Sequence, residues 1–354
     1  MKRLLLSSLA LTIGLMCVFA ADNIKFVPGK DLTLIGKLMD TPDRYARVDT
    51  IKYTGFTDYQ RQNLNQNSAG LALVFTTDSR NIHANIDYKK RPNKYNTNDI
   101  ATAGLDLYIR RDGQWVYAGS GVPSQKGDPV KLVENMEPGE KDCLLYLPLF
   151  SIVDEVYVGV DSTATISASP NPFAKKVVFW GSSYTQGTSA NRPGMAYPLQ
   201  LQRATGLDIC SLGVSGNSRL QQSYARVLAD TEADAFVFDA FSNPEAEEIR
   251  ENFDSFLKTV RAKHPTTPLI FQNTIYPGIR NFNTEANRTE AAKMAAAEDV
   301  VRKAMETDPN IYFICPVADT DGSTSTDTDH PSDWGYSNWA ESIRQPILEI
   351  LENY

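Results

Sequence analysis

The sequence predicts an α/β domain with a parallel sheet flanked by helices, preceded by an antiparallel β-sandwich of jelly-roll type. Three observations carry this. Up to about Ser169 the chain runs in short alternating strand-like stretches separated by turn residues; beyond Lys175 strand-like and helix-like stretches take turns; and "SASPNPFAKK", Ser167 to Lys176, collects the prolines and polar residues of a linker between them. The expected organisation is a leader over 1–21, a sandwich over 22–169 and the α/β domain over 170–354, about two domains' worth of chain for 354 residues.

The leader, "MKRLLLSSLALTIGLMCVFAADN", has a basic start at Lys2 and Arg3, a short apolar core, and small residues at Ala20 and Ala21. It reads as a signal peptide cleaved near Ala20 or Ala21, which makes the mature protein secreted or periplasmic. Lipid attachment at Cys17 is the minor alternative, although Leu15-Met16 lacks the usual small residue before the cysteine. Cleavage takes Lys2 and Arg3 away and moves the net charge from -8 to -10. That balance argues against a nucleic-acid partner, which is held through clustered cations. No later stretch is apolar for long enough to span a membrane. Cys143, Cys210 and Cys315 remain, without metal-ligand spacing, and read as buried strand thiols with at most one disulfide.

In the first half the strands are "GLALVFTT", "NIHANIDY", "GLDLYIRR", "QWVYAG", "DCLLYLPL" and "EVYVGV". Asp112-Gly113 joins the third to the fourth as a tight hairpin, because glycine accepts the positive φ of such a turn. In the second half strand "KVVFWG" is followed by helix "GMAYPLQLQRATG", strand "LDICSLG", helix "SRLQQSYARVLADT", strand "DAFVFDAF", helix "EAEEIRENFDSFLKTVRAKH", strand "PLIFQNT", helix "TEANRTEAAKMAAAEDVVRKAMET", strand "NIYFICP" and a last helix to Tyr354. Parallel sheets of this kind carry their sites at the carboxyl ends of the strands, and Gly181-Ser182-Ser183 sits at one.

A serine hydroxyl needs a base to become a nucleophile, and the chain has three histidines. His83 falls in a sandwich strand and His264 at the end of a surface-type helix, so both read as ordinary surface residues. His330 stands in the polar loop "STSTDTDHPSDWGY" before the last helix, where a base belongs. Each candidate has an ordinary alternative: Ser183 as a helix cap, Asp327 as a loop residue bonding its own backbone, with Asp319, Asp321, Asp329 and Asp333 as rival acids, Gly216 as a turn glycine, and Asn243 as a turn or cap residue. The acidic loop lacks the order of a calcium site, and no metal or cofactor is expected. Asn287 fits the glycosylation pattern but falls in a predicted helix.

Four blocks together resemble the SGNH/GDSL hydrolases over Lys175 to Tyr354. Gly181-Ser182-Ser183-Tyr184-Thr185-Gln186-Gly187 is similar to their first block and Asp327-Thr328-Asp329-His330-Pro331 to their last. "SLGVSGNSRL" resembles the glycine block at Gly216, and "FDAFSNPE" the asparagine block at Asn243. The preceding sandwich and "RPGMAYP" are similar to a secreted bacterial branch related to carbohydrate esterases. Two departures stand out: Ser182 replaces the usual aspartate, and Phe241-Ser242-Asn243-Pro244 lacks that block's first glycine and final aspartate.

The resemblance implies a serine esterase in which Ser183 attacks, His330 is the base and Asp327 orients it, with Ser183 and Gly216 backbone N–H groups and the Asn243 amide meeting the oxyanion. The implied substrate is an O-acyl, above all O-acetyl, group on a polysaccharide or oligosaccharide. A general acyl-ester hydrolase or lipase-like esterase is the nearest alternative. The rival from another class is an inactive glycan-binding protein that grips sugar through Trp115 and Tyr117, which share one side of a strand.

Overall fold

The structure, a computed structural model, describes residues 23–124, 127–317 and 319–354. The expected signal peptide and Cys17 lie outside the described residues. Among the described residues no helix is long and apolar enough to cross a membrane.

The first half holds β1 (Ile24–Pro28), β2 (Thr33–Ile35), β3 (Ala72–Thr77), β4 (Ile82–Lys90), the short helix α1 (Asp99–Ala103), β5 (Leu105–Arg111), β6 (Gln114–Gly121), β7 (Val130–Val133), β8 (Lys141–Tyr146), β9 (Ile152–Asp161) and β10 (Ile166–Ala168). One antiparallel sheet runs β1-β9-β4-β7 and the other β10-β3-β8-β5-β6, with β2 added on β3. Residues 105–111 and 114–121 form the hairpin expected at Asp112-Gly113, both with positive φ. The linker is shorter than its composition suggests. Ser167 and Ala168 pair with Thr76 and Phe75, and the next strand starts at Ala174.

The larger sheet is buried on both faces, which explains why "LALVF" and "CLLYL" read as continuous apolar runs. Leu73, Phe75, Cys143, Leu145 and Leu107 point into the sandwich core against Val156, Val158 and Val160. Their neighbours one position along, Ala72, Val74, Leu144, Tyr146 and Tyr108, point the other way and pack against Ala196 and Leu199 of the second half. Alternation of side chains along a strand thus serves two cores at once.

The second half contains β11 (Ala174–Gly181), α2 (Ser183–Gln186), α3 (Tyr197–Thr205), β12 (Leu207–Gly213), α4 (Gln222–Ala229), β13 (Ala235–Asp239), α5 (Ala246–Arg261), β14 (Leu269–Gln272), α6 (Thr284–Met305), β15 (Ile311–Ile314) and α7 (Asp333–Leu351). Its sheet is wholly parallel in the order β12-β11-β13-β14-β15. Trp180, Phe236 and Phe238 face α4 and α5 on one side, while Phe179 and Val237 face Tyr197, Tyr336 and Trp339 on the other. β12 and β13 flank β11, so the chain leaves β11 at the point where strand order reverses, and three neighbouring strand ends open on one crevice.

The stretch between β2 and β3 departs from a simple two-unit division. Leu38, Val48, Tyr53 and Leu64 belong to the core under α4 and α5. Arg47, fully buried, donates from Nη1 to the Gly213 carbonyl at 2.9 Å and from Nη2 to that of Leu64. Burial pushes its guanidinium down to about 10, against the favourable influence of the Tyr224 phenol. Two further expectations change. His264 follows α5, half-buried, with its ring 4.7 Å from Phe236 and Nε2 3.2 Å from the Leu228 carbonyl. Cys143 and Cys210 are buried free thiols as strand residues would be, but Cys315, also free, is exposed past the end of β15.

Candidate active site

The turn that carries Ser183 is built by contacts that only small or polar residues permit. β11 ends at Gly181, where a Cβ would stand 2.2 Å from Thr185 Oγ1 and 2.7 Å from Asp239 Cβ. Ser182 is the cap of α2, its Oγ accepting from the Tyr184 N–H at 3.1 Å. The capping task therefore falls on Ser182 and leaves the Ser183 hydroxyl, at the first helical position, for other work. Gly187 closes the short helix at φ 93°, the left-handed conformation glycine adopts freely.

Asp239, at the end of β13, holds this turn from below. Its Oδ2 accepts from the Ser182 N–H at 3.1 Å, Ser182 Oγ at 2.7 Å and Thr185 Oγ1 at 2.9 Å, and its Oδ1 from Ser242 Oγ at 3.2 Å. Burial pushes this carboxyl above its ordinary range, while those donors pull it back. Ser182 stands where the resembling family has an aspartate, and Asp239 places a buried carboxylate beneath the Ser183 turn. The residue lay in plain view in "DAFVFDAF", but nothing in a strand pattern says which polar residue faces a neighbouring turn.

Ser183 Oγ lies 3.0 Å from His330 Nε2. On the other side of the ring, Nδ1 is 3.0 Å from Asp327 Oδ2 and 3.1 Å from Oδ1. The three residues join the end of β11 to the loop before α7. Asp327 Oδ1 also accepts from the backbone N–H groups of Asp329 at 2.8 Å and His330 at 2.6 Å, and Oδ2 from Asn96 Nδ2 at 2.8 Å. Burial works to raise the Asp327 carboxyl, but the donors, Asn96 first among them, hold it below the usual carboxylate range. Tyr184 packs the edge of the imidazole at 5.6 Å between ring centres. Three of the four rival acids are occupied elsewhere. Asp319 accepts from the N–H groups of Gly322 and Thr324, Asp321 from Ser323, and Asp333 from Asn191, each at 2.8 Å. Among the described residues no group of three or more His, Cys, Asp and Glu is placed to hold a metal ion.

The remaining site candidates come from the two flanking strands. After β12, Asn217 N–H bonds the Val214 carbonyl at 2.8 Å, closing a turn with Gly216 at φ 71° in its third position. A type II turn requires that conformation there, and nothing lies within 4 Å of where a Cβ would be. After β13, Asn243 Oδ1 accepts from the Ser218 N–H at 3.1 Å, which commits the amide's oxygen and leaves its NH2 as the donor end.

Trp115 and Tyr117 do not form an open platform. Trp115 packs on Phe173 at the seam between the two halves, and the Arg192 guanidinium lies 4.2 Å over the half-exposed Tyr117 ring. At this seam Arg192 Nη1 bonds the fully buried Asp106 at 2.9 and 3.1 Å as well as the Tyr108 hydroxyl. Asp106 Oδ2 also takes the Gly194 N–H at 2.8 Å.

Residues 174–349 match the model of the GDSL-like lipase/acylhydrolase family, and residues 24–166 match that of the N-terminus of SGNH-hydrolase-type esterases. The latter family is designated GxDLY, a pattern this chain carries at Gly104-Leu105-Asp106-Leu107-Tyr108. A crystal structure of a protein assigned as a GDSL-like lipase from Bacteroides ovatus is 40% identical, covers 93% of this chain and 98% of its own, and superposes with a TM-score of 0.88. A salicylyl-acyltransferase from a tetracycline biosynthetic pathway shares the fold at 20% identity and TM-score 0.68, and a family two carbohydrate esterase from Cellvibrio japonicus at 12% and 0.59; each covers 93% of this chain and 98% of its own. No curated protein matches the chain. With the serine turn, the three strand ends and the histidine loop gathered on one crevice, and with that kinship over nearly its whole length, the chain belongs to the GDSL-like lipase/acylhydrolase family.

Proposed function

We propose that the protein is a serine esterase that removes O-acyl groups, acetyl first among them, from a polysaccharide or oligosaccharide. The observation that carries the reading is the hydrogen-bonded run from Ser183 Oγ through His330 to Asp327. In this mechanism the imidazole takes the Ser183 proton as Oγ adds to the ester carbonyl, and returns it to the departing alcohol. Asp327, held ionised, keeps Nδ1 protonated and stabilises the imidazolium. The carbonyl oxygen becomes an oxyanion met by the Ser183 and Gly216 N–H groups and the Asn243 amide. Water then releases the acyl group by the same steps in reverse.

The carbohydrate part rests on a different kind of support. The Cellvibrio japonicus protein is a carbohydrate esterase, and a related Clostridium thermocellum enzyme of 16% identity and TM-score 0.55 was crystallised with cellohexaose. The export signal expected over 1–21 would deliver the enzyme to such polymers. The packing of Trp115 on Phe173, with the Arg192 guanidinium over the Tyr117 ring, weighs against the sugar-gripping alternative. Acetate release from a panel of acetylated polysaccharides, beside p-nitrophenyl acetate, tests both parts with wild type and Ser183→Ala. Release from a polysaccharide that vanishes in the variant is the expected result. Turnover of the small ester alone removes the carbohydrate assignment, and no turnover of either removes the esterase.

A further inference from the structure

We propose that Asn96, supplied by the sandwich half, is a positioning residue for Asp327, so that the active site is assembled from both halves of the chain; this rests on the Ser183–His330–Asp327 reading above. Asn96 lies in the segment between β4 and α1, 231 positions before the aspartate it bonds. Apart from the imidazole, the other donors to the Asp327 carboxylate are the N–H groups of residues 329 and 330, from the same loop. Those contacts shape the loop but do not fix where it sits. The Asn96 amide is the donor that ties the carboxylate to the other half of the chain.

Two features show that the amide is aimed rather than incidental. Its Oδ1 is buried without a partner, so the side chain gives up one hydrogen bond to keep its NH2 toward the carboxylate. A flipped amide would set oxygen against oxygen and lose the bond. The backbone around it is strapped independently. The Asn96 carbonyl accepts from Ser189 Oγ at 2.8 Å, and Thr97 Oγ1 accepts from the Ser189 N–H at 3.0 Å. Ser189 follows the nucleophile helix and has φ 70°. Residues 96 and 97 therefore span from the serine side of the site to the aspartate side. Because the strap uses backbone and Thr97, changing the Asn96 side chain removes the contact to Asp327 and leaves the strap in place.

The test is the pH dependence of kcat and kcat/KM on p-nitrophenyl acetate for the full chain, with Asn96→Ala, Asn96→Asp, Thr97→Val and Ser183→Ala, and Tm for each. Asn96→Ala is expected to lower kcat about tenfold to a hundredfold with KM little changed, the size of effect a misplaced catalytic group produces. Asn96→Asp keeps the shape but faces one carboxylate with another. Asp327 bonds the imidazole, Tyr184 of α2 packs its edge, and Asp329, Asp239 and Glu290 act on Tyr184 through their charge. Whatever negative charge the new carboxylate adds favours the imidazolium, so the acid limb of kcat/KM should move to higher pH. Thr97→Val, which loosens the strap, should lower Tm without moving that limb. Wild-type kcat in Asn96→Ala together with a wild-type acid limb in Asn96→Asp overturns the proposal. If Asn96→Ala does not fold, the isosteric Asn96→Asp profile decides alone. Turnover that survives in Ser183→Ala fails the serine reading itself, and is told apart because it appears in a protein with Asn96 intact.

Discussion

Ser183 and Asn243 occupy the same crevice but differ in what their loss removes. On the proposed mechanism Ser183→Ala lacks the attacking atom, so it should fall to background turnover of p-nitrophenyl acetate. On the same mechanism Asn243→Ala removes one of three proposed oxyanion donors, a loss of about 2.7–4 kcal/mol of transition-state stabilisation, or about a hundredfold to a thousandfold in kcat. Equal residual rates in the two variants would refute the division of roles. Ser183, Asp327 and His330, which the fold brings within hydrogen-bond reach of one another, were legible because they sit in two short blocks, one at the end of β11 and one in the loop before α7. Asn96, Asp239 and Arg47 were not. Their partners lie 231, 57 and 166 positions away, and their neighbours in sequence say only loop or strand.

At the scale of elements, the ends of β11 and β13 are joined through one buried carboxylate. Asp239 is raised by burial, so the folded state binds its proton more tightly than the unfolded chain does. Its contribution to stability is then greatest at low pH and declines as pH rises from the ordinary carboxylate value of about 3.9 through the folded-state value. An amide at this position has no such proton to lose. Asp239→Asn should therefore carry a Tm penalty that shrinks between about pH 4 and pH 7, as thermal melts across that range can check; a penalty that grows with pH contradicts the sign. The longer strands of both halves were readable from their apolar runs. β1, β2, β7 and β10 were missed because three to five residues with mixed polarity at sheet margins leave little pattern to read. The position of residues 36–70 under α4 and α5 follows from side chains meeting across the fold, which local composition does not encode.

At the scale of the whole molecule, the two halves form one body. The outer face of the larger antiparallel sheet is a core shared with α3, and the Asp106–Arg192 pair is sealed into the same seam. Breaking a buried pair from one side strands the other charge, so Arg192→Ala, which takes from the buried Asp106 carboxylate its bonded cation and leaves it the field of Arg203, should cost about 3 kcal/mol in denaturant unfolding. A cost under about 1 kcal/mol would mean that the seam is held by its apolar contacts alone.

The four tryptophans sit in four different compartments. Trp180 is sealed on one face of the parallel sheet and Trp339 on the other, Trp115 is lodged at the seam, and Trp334, 61% exposed, stands four residues past His330 at the start of α7. The chain thus carries its own set of optical reporters. An aqueous quencher such as iodide reaches Trp334 ahead of the rest, so its emission follows events at the start of α7, just past the histidine loop, while the sealed pair reports on the sheet itself without any label being added.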